Sequence, residues 1–324
     1  MQKVLVIRFS SIGDIVLTTP VIRCLKKQIP GISLHYITKE QYSSLLEPNP
    51  YIDRLFLIRS GVSEVIRKLQ HENYDHIIDL HQNLRSASVI LQLRKPRSTF
   101  NKINFSKWLA VRFKINWLPD VHIVDRYFGS VRKMGVKNDG HGLDFFFEEK
   151  EPGWPDGLRQ FFRQPFIAWA IGARHATKIF PSGKISRVCS SISKPVVLIG
   201  GTEDRENGEL IARSSGTHVY NACGELSIQG SARVIEKAEK VISNDSGMMH
   251  IAAALRKRIL SIWGNTIPDF GMYPYQPGEG SSILEIKGLS CRPCSKLGFE
   301  QCPLKHFHCM NLIPEEKIVD FIRQ

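Results

Sequence analysis

The stretch SNDSGMMHIAAAL at residues 243–255 decides the fold of this chain and marks its most informative site. Residues 240–243, where the stretch begins, have the pattern of a short buried strand, and the alanine-rich residues 248–255 have the pattern of a helix. The residues between them, 245–247, therefore form a strand-to-helix turn. Such a turn favours a bound anion, because the free N–H groups and the dipole of the helix point towards it.

The side chains of this turn suit a sugar diphosphate. Asp245 and Ser246 supply an acid and a hydroxyl, and Gly247 lets a ligand approach the backbone closely. His250 follows about one helical turn later and is expected to face the same mouth. In isolation, the same residues are explained equally well by an ordinary Asp or Ser cap of a helix.

Strands alternate with helices along the chain, which predicts an α/β fold with mainly parallel sheets. The predicted strands are residues 3–7, 33–38, 54–58, 76–80, 166–171, 195–199, 241–243 and 259–263. The predicted helices are residues 15–28, 62–72, 124–134, 208–214, 228–237, 248–255 and 315–323. Residues 148–155, with two prolines and a glycine, are the expected linker. We therefore expect two consecutive open α/β domains, residues 1–155 and 156–324, with a cleft between them.

The loop after the first predicted strand carries an acid where open α/β sheets bind ligands. Ser10, Ser11 and Gly13 precede Asp14 at the carboxyl end of this strand. A carboxylate at this place can take a proton from an attacking hydroxyl. The alternative is a first-turn acid that only complements the dipole of the helix.

The second domain opens with a similar arrangement. Arg174, Thr177 and Lys178 follow a predicted strand and can clamp a diphosphate, with Lys178 as a point charge on the leaving group. Glu203 follows the next strand, where acids bind ribose hydroxyls in nucleotide sites. A solvated basic loop and a polar turn are the alternatives for these two segments.

The length, the composition and the absence of certain motifs limit the class of protein. With 324 residues, 42% of them apolar, the chain is long enough for two domains with full cores. No apolar run approaches the roughly 18–20 residues of a membrane span. The amino end lacks the pattern of a signal peptide, so we expect a cytoplasmic protein. The absence of G-x-G-x-x-G and G-x-x-x-x-G-K-[ST] argues against dehydrogenases and P-loop NTPases.

The net charge of +13 indicates an anionic partner: nucleic acid, a membrane surface or an acidic glycan. Between Asp79 and Asp120 there is no acid, and basic residues alternate with aromatic ones. The basic residues are Arg85, Arg94, Lys95, Arg97, Lys102, Lys107, Arg112 and Lys114, and the aromatic ones are Phe100, Phe105, Trp108, Phe113 and Trp117. This mixture is typical of a surface that meets anionic lipid. It also suits single-stranded nucleic acid, or a loop whose aromatic residues are core.

Four cysteines near the carboxyl end form the pattern C-x2-C-x7-C-x6-C, with His306 and His308 nearby. They are Cys291, Cys294, Cys302 and Cys309. Four thiols at these spacings predict a structural zinc site, and the same ligands suit an iron–sulfur cluster. The alternative is reduced cysteines packed in a loop.

Taken together, these stretches resemble glycosyltransferase family 9, the lipopolysaccharide heptosyltransferases. The matching pieces run in family order across nearly the whole chain. They are VLVIR at residues 4–8, SSIGD at 10–14, the run from Asp79 to Ser86 with its NLRS, GG at 200–201 with Glu203, NDSGMMH at 244–250 and WGNT at 263–266.

The resemblance implies a GT-B fold, in which two Rossmann-like domains face each other across a cleft. The amino-terminal domain would bind the acceptor and the carboxyl-terminal domain the nucleotide sugar. The family inverts the anomeric centre without a catalytic metal, so no cofactor is expected for the reaction. By match to its motifs, Asp14 would be the general base and Lys178 would hold the diphosphate. The same match gives Ser246, Gly247 and His250 to the diphosphate, Glu203 to the ribose and Asp245 to the sugar. Arg174 and Thr177 are further predicted donor-binding residues, and the predicted acceptor-binding residues are Ser10, Ser11, Gly13 and Arg85.

The usual donor of the family is ADP-L-glycero-β-D-manno-heptose, and the acceptor is an inner-core Kdo or heptose on lipid A. Lys102 and Arg126 join Arg85 as candidates to hold an acidic sugar. The implied location is cytoplasmic, peripheral on the inner face of the inner membrane. The alternatives are a family member that moves another activated sugar, a nucleic-acid-binding protein with a zinc-bound tail, and a non-catalytic relative that binds lipopolysaccharide.

Overall fold

The computed structural model describes residues 2–150 and 153–324. The contacts within the chain divide it into two compact units, each with its own sheet. The first unit comprises Met1–Lys102 and Val121–Glu149, and the second comprises Ile103–Asp120 and Lys150–Gln324.

Residues 103–120 pack with the second unit, although in sequence they interrupt the first. The predicted domain boundary at residue 155 places residues 103–120 in the first domain. The division into an acceptor-binding and a donor-binding domain stays a prediction. Two residues of the predicted linker, Glu151 and Pro152, lie outside the described residues.

The sheet of the first unit is parallel throughout. Its strands are β1 (Lys3–Ile7), β2 (Ser33–Lys39), β3 (Arg54–Ile58), β4 (His76–Asp79) and β5 (Arg97–Thr99), in the spatial order β3-β2-β1-β4-β5. Residues 4–7 of the central strand are completely buried, as in the middle of a parallel sheet. Ile7 is level with Asp79, so the loops that follow β1 and β4 begin side by side.

The helices of the first unit are α1 (Ile12–Val16), α2 (Thr19–Gln28), α3 (Ile66–His71), α4 (Leu84–Leu93) and α6 (Ile123–Phe128). The predicted single helix over residues 15–28 is wrong, because it begins at Ile12 and is broken into α1 and α2. Pro20 lies in the first turn of α2, where its missing N–H costs nothing. The hydroxyls of Thr18 and Thr19 each donate to a carbonyl of α1 at 2.7 Å, which satisfies the last acceptors of that helix.

The second unit contains a six-stranded parallel sheet. Its strands are β6 (Ile167–Ala170), β7 (Val196–Ile199), β8 (Val219–Asn221), β9 (Lys240–Asn244), β10 (Arg258–Trp263) and β11 (Ser282–Glu285), in the order β11-β10-β9-β6-β7-β8. Its helices are α5 (Asn104–Phe113), α7 (Ser182–Ser190), α8 (Arg205–Ser215), α9 (Ile228–Lys237), α10 (Gly247–Ala254), α11 (His308–Asn311) and α12 (Glu315–Arg323). The predicted class, α/β with two mainly parallel sheets, is confirmed. Across the described ranges, no helix has the length and apolar character that a membrane crossing requires.

Several short elements were not predicted. The edge strands β5, β8 and β11 have only three or four residues and are partly exposed, so they lack the long apolar run of a central strand. Helices α4, α5, α7 and α11 were also missed. Residues 62–72 and 124–134, predicted as continuous helices, contain a 3-10 turn beside a shorter α-helix.

A buried arginine ties α2 to the end of the first unit. Arg23 is 2% exposed, and its Nε and Nη2 donate to the carboxylate of Asp139 at 2.8 and 2.7 Å. Its Nη1 pairs with Asp144, and its Nη2 also donates to the carbonyl of Gly142 at 3.0 Å. One buried cation therefore holds two carboxylates in the segment that closes the unit.

We predict that Arg23→Met destabilises the protein by about 3–5 kcal/mol, because it leaves two carboxylates without their buried partner. The measurement is the free energy of unfolding in urea. Arg59→Met is the control, since Arg59 pairs with Glu40 on the surface and its loss should change stability far less. Equal effects of the two substitutions would contradict this role of Arg23.

Candidate active site

The strand-to-helix turn in the second unit lies where the sequence predicted it. β9 ends at Asn244, α10 begins at Gly247, and Asp245 and Ser246 lie between them. Within the described chain, no side chain caps the start of α10. Its first N–H groups are therefore available to an anion.

Asn244 positions the loop that faces this turn. Its side-chain amide is completely buried, donates to the carbonyl of Ile171 at 2.8 Å and accepts from the N–H of Phe180 at 3.2 Å. Because these two residues lie at the two ends of the loop 172–179, the amide holds that loop against the end of β9.

This contact brings Lys178 to Asp245. The Lys178 Nζ lies 2.6 Å from the Asp245 Oδ2, and their side chains are 16% and 10% exposed. The Thr266 hydroxyl, from the loop after β10, donates to the same oxygen at 2.7 Å. A cation thus lies beside the free start of a helix, and this arrangement can hold a diphosphate.

Close backbone packing stabilises the loops around this turn, and we call these contacts the brace. A Cβ on Gly264 would lie 2.6 Å from the carbonyl oxygen of Thr177 and 2.7 Å from the Cε of Met310, so only glycine fits here. The Thr177 hydroxyl donates to the carbonyl of Phe299 at 3.1 Å and accepts from its N–H at 2.8 Å. The hydroxyl predicted to contact the donor is therefore engaged with the protein's own backbone.

The cysteine-rich segment forms the rest of this brace. The guanidinium of Arg292 donates to the carbonyls of Gly264 at 2.5 Å and Thr266 at 2.7 Å, and it pairs with Glu285 at 2.7 Å. The N–H of Cys294 donates to the carbonyl of Asn265 at 3.1 Å. The loop 264–266, which carries Thr266 to the site, is thus fixed by residues about 30 positions later in the chain.

The four cysteines of this segment are free thiols. Cys294 donates its Sγ–H to the carbonyl of Cys291 at 3.0 Å. Burial, assisted by the neighbouring thiols, raises the pKa of Cys294 and Cys309 to about 11. Nowhere in residues 2–150 and 153–324 do three or more His, Cys, Asp or Glu side chains converge as metal ligands. The zinc site predicted at Cys291, Cys294, Cys302 and Cys309 gains no support from this arrangement and stays a prediction.

The remaining predicted donor residues are distributed around the turn. Arg174 and Glu203 are exposed, whereas His250 is 3% exposed within α10. Beside Glu203, Asp204 is buried and accepts from the N–H of Gly201 at 2.9 Å. The structure therefore brings Lys178, Asp245, Ser246 and Gly247 together, whereas the other predicted donor-binding residues range from exposed to buried.

In the first unit, Asp14 is the third residue of α1 and pairs with Arg8. The Arg8 Nη2 lies 2.6 Å from the Asp14 Oδ1, while the Ser11 hydroxyl and N–H donate to the Oδ2 at 2.8 and 3.2 Å. Arg8 is held in turn by the carbonyl of Leu80 at 2.5 Å and the hydroxyl of Tyr127 at 3.2 Å. The Asp14 side chain remains 22% exposed, so a hydroxyl can reach it.

Burial alone would raise the pKa of the Asp14 carboxyl. The Arg8 guanidinium and the hydrogen bonds from Ser11 outweigh burial, and the pKa lies below its ordinary value. Asp14 is therefore ionised at neutral pH, as a general base must be.

Aromatic and basic side chains surround this carboxylate. The Arg85 guanidinium lies over the ring of Phe9 at 5.8 Å, and His81 packs edge-on against the same ring at 5.1 Å. The Lys102 Nζ donates to the carbonyl of Gln82 at 2.8 Å. Burial, together with the charges of neighbouring cations, lowers the pKa of His81 to about 4, so the imidazole is neutral at pH 7.

Sequence reasoning gave no role to Arg8, Asn244 or His81. Arg8 carries the clearest signal, because a basic residue directly after a buried strand and six positions before an acid places both at one sheet edge. The roles of Asn244 and His81 depend on tertiary contacts that no local pattern shows.

Comparison with known proteins identifies the family. The model of glycosyltransferase family 9 (heptosyltransferase) matches residues 62–305. The chain belongs to this family. Lipopolysaccharide heptosyltransferase 1 of Campylobacter coli is 24% identical over 290 residues, which cover 82% of this chain and 84% of the relative.

Solved structures of the family share the fold. A family 9 glycosyltransferase from Veillonella parvula has a TM-score of 0.79 at 20% identity, covering 99% of this chain and 96% of its own. The E. coli heptosyltransferase WaaC, solved with ADP-2-deoxy-2-fluoro heptose, has a TM-score of 0.66 at 17% identity and covers 99% of each chain. The predicted GT-B fold class and the prediction of a glycosyltransferase are confirmed.

We predict that Arg8→Met moves the acid limb of the pH–rate profile of this glycosyltransferase upward by about one to three pH units. A carboxylate with a lowered pKa stays active above that pKa and loses activity as the pH falls through it. Removing the guanidinium raises the pKa of the Asp14 carboxyl. As the pH is lowered, the variant therefore begins to lose activity at a higher pH than the wild type does. The measurement is kcat/KM against pH for the wild type, Arg8→Met and Arg8→Lys, which keeps the charge. An acid limb in the same place for all three proteins would contradict the role of Arg8.

Proposed function

We propose that this family 9 enzyme transfers heptose from ADP-L-glycero-β-D-manno-heptose to an inner-core sugar of lipopolysaccharide, with inversion at the anomeric carbon. The observation that carries the proposal is the meeting of Lys178, Asp245 and Thr266 at the uncapped start of α10. The E. coli relative solved with a fluorinated ADP-heptose supports the choice of donor. The curated lipopolysaccharide heptosyltransferases support the choice of acceptor.

The second unit would hold the leaving group. Departure of ADP places negative charge on the diphosphate, and the Lys178 ammonium and the N–H groups at the start of α10 would stabilise it. Asp245 would keep Lys178 in place before the donor arrives. It would then accept a hydrogen bond from a hydroxyl of the donor sugar. The exposed acid Glu203 would bind the ribose and Arg174 the phosphates, while His250 would support the turn from within α10.

The first unit would activate the acceptor. Asp14 would take the proton of the acceptor hydroxyl. At the same time the hydroxyl oxygen would bond to the anomeric carbon, and the bond from that carbon to the diphosphate would break. Because the attack comes from the face opposite the leaving group, the product is inverted. A carboxylate with a low pKa is a weak base, but the hydroxyl becomes strongly acidic as its oxygen forms the new bond.

The surroundings of Asp14 favour an acidic acceptor. Arg85 and Lys102 lie near it on the same unit, and the neutral His81 adds a polar edge without further charge. A sugar carboxylate or a phosphate on the core would complement these cations. Ser10 and Ser11, in the loop before α1, and Gly13, in the first turn of α1, would line the hydroxyl's approach.

We also propose that the transfer needs no metal. The positive charge that a divalent ion would supply to a diphosphate is available from Lys178 and the helix start. Transfer should therefore continue in EDTA. Membership of a family of glycosyltransferases argues against the alternative of a nucleic-acid-binding protein.

We predict that ADP release from ADP-heptose depends on an acceptor, either Kdo-terminated lipid A or a heptose-extended core. Asp14→Asn should lower kcat by about 10²–10⁴-fold, the usual contribution of a general base, and leave donor binding unchanged. The measurement combines transfer by mass spectrometry with donor affinity by calorimetry.

Asp320→Asn is the matched control, since Asp320 is exposed on α12. Transfer with another nucleotide sugar but not with ADP-heptose would establish the alternative of a different donor. Full activity of Asp14→Asn would exclude Asp14 as the base.

We predict that Lys178→Ala lowers kcat by about 10²–10³-fold, as the loss of one group that stabilises a developing anion does. Lys178→Arg should retain part of the rate, because it keeps a cation in the same loop. The control is Lys317→Ala, which removes an exposed lysine of α12. Steady-state kinetics with varied ADP-heptose separates kcat from KM, and an unchanged kcat in Lys178→Ala would contradict the assignment.

A further inference from the structure

The segment 103–120 has two different faces. It includes α5 and packs with the second unit, which also carries the proposed donor site. One face of the segment is fixed to that unit by specific contacts. The other presents large apolar side chains to solvent, which soluble proteins rarely do in a contiguous set.

The inner face is held by polar and small residues. Ala110 is buried, and the Lys107 Nζ lies 5.5 Å from the centre of the Phe270 ring. The Lys114 Nζ donates to the carbonyl of Pro293 at 2.7 Å, and the Asn116 amide donates to Asp269 at 3.0 Å. These contacts fix the orientation of the segment on its unit.

The outer face is aromatic. Phe105, Trp108, Phe113 and Trp117 are 65%, 46%, 55% and 69% exposed. The ring centres of Phe105 and Trp108 lie 6.0 Å apart, and those of Trp108 and Phe113 lie 5.2 Å apart, so three of the rings form a continuous row. These rings are not part of a hydrophobic core, because they contact one another and are otherwise exposed to solvent.

The segment is also basic. Residues 103–119 contain Lys107, Arg112 and Lys114 and no carboxylate. Arg112 is exposed beside the aromatic row, and Lys114 has neutral carbonyls as its hydrogen-bond partners. Exposed aromatic rings beside an exposed arginine are a combination that binds the interface of an anionic bilayer.

We propose that residues 103–119 form a docking surface that seats the second unit on an anionic lipid bilayer. The aromatic row enters the headgroup region, and Arg112 meets the lipid phosphates. The inference rests on the proposed function in one respect, since a lipid-linked acceptor lies in such a bilayer. It assigns the contact to the unit with the proposed donor site.

The first test is binding to vesicles of phosphatidylglycerol and phosphatidylcholine, compared with phosphatidylcholine alone. We expect binding only when the anionic lipid is present, and weaker binding at high salt. Phe105→Ser/Phe113→Ser should lower the affinity at least about tenfold, because two exposed rings are lost. The control is Leu210→Ser/Leu312→Ser, whose leucines are 57% and 54% exposed on the same unit.

The variants keep Trp108 and Trp117, which serve as reporters of depth. Trp169 and Trp263 are buried and Trp154 is half-buried, so in a Trp154→Phe background quenching by brominated lipid should report the exposed pair. Arg112→Glu provides a second variant that leaves the rings intact and reverses a charge. Unchanged vesicle binding in both the ring and the charge variants would overturn the proposal.

Single-stranded oligonucleotide is the competing occupant. If it bound more tightly than vesicles and displaced the protein from them, the surface would be a nucleic-acid site and the proposal would fall. Transfer to a deacylated, water-soluble acceptor separates the two proposals. Ring variants that lose only transfer to vesicle-bound acceptor support the docking surface. Vesicle binding without transfer to any acceptor would overturn the proposed function alone.

Discussion

The buried side-chain amide of Asn244 is the interaction on which the donor turn depends, as we call residues 245–247 because they are proposed to hold the donor. With one donor and one acceptor, it fixes both ends of the loop after β6 to the end of β9. Without it, the loop 172–179 would be held mainly through the contacts of Thr177 with Phe299, and the ion pair of Lys178 with Asp245 would be less precisely positioned. A neutral amide performs this task at lower cost than an ion pair would, because a buried amide pays only a modest desolvation penalty once both of its bonds are made.

The first unit solves a different problem with a buried charge. A carboxylate at a sheet edge tends to become protonated when a bound molecule displaces water from it. Arg8 opposes that tendency, and its own burial is compensated by backbone carbonyls and a tyrosine hydroxyl. The arrangement keeps Asp14 ionised and oriented, at the expense of basicity. The neutral state of His81 fits the same scheme, since another cation beside Arg8 would be repelled.

The buried central strands, the α/β class and the turn at residues 245–247 could be predicted because apolar runs and strand-to-helix turns are local patterns. Helix α5 could not, because its helical residues carry exposed aromatic rings and no amphipathic stripe. Nor could its attachment to the second unit, which depends on Lys114 and Asn116 reaching residues more than 150 positions away. The break between α1 and α2 was visible in Thr18, Thr19 and Pro20, but helix periodicity continued across it.

The cysteine-rich segment shows why sequence pattern and structural role can differ. Its spacing resembles a metal site, yet its contacts with the loop 264–266 are made by Arg292, by the hydroxyl of Ser295 and by the N–H of Cys294. These contacts hold the loop 264–266, where Gly264 admits the carbonyl of Thr177 and Thr266 reaches Asp245. The segment thus stabilises the donor turn whether or not its thiols bind an ion.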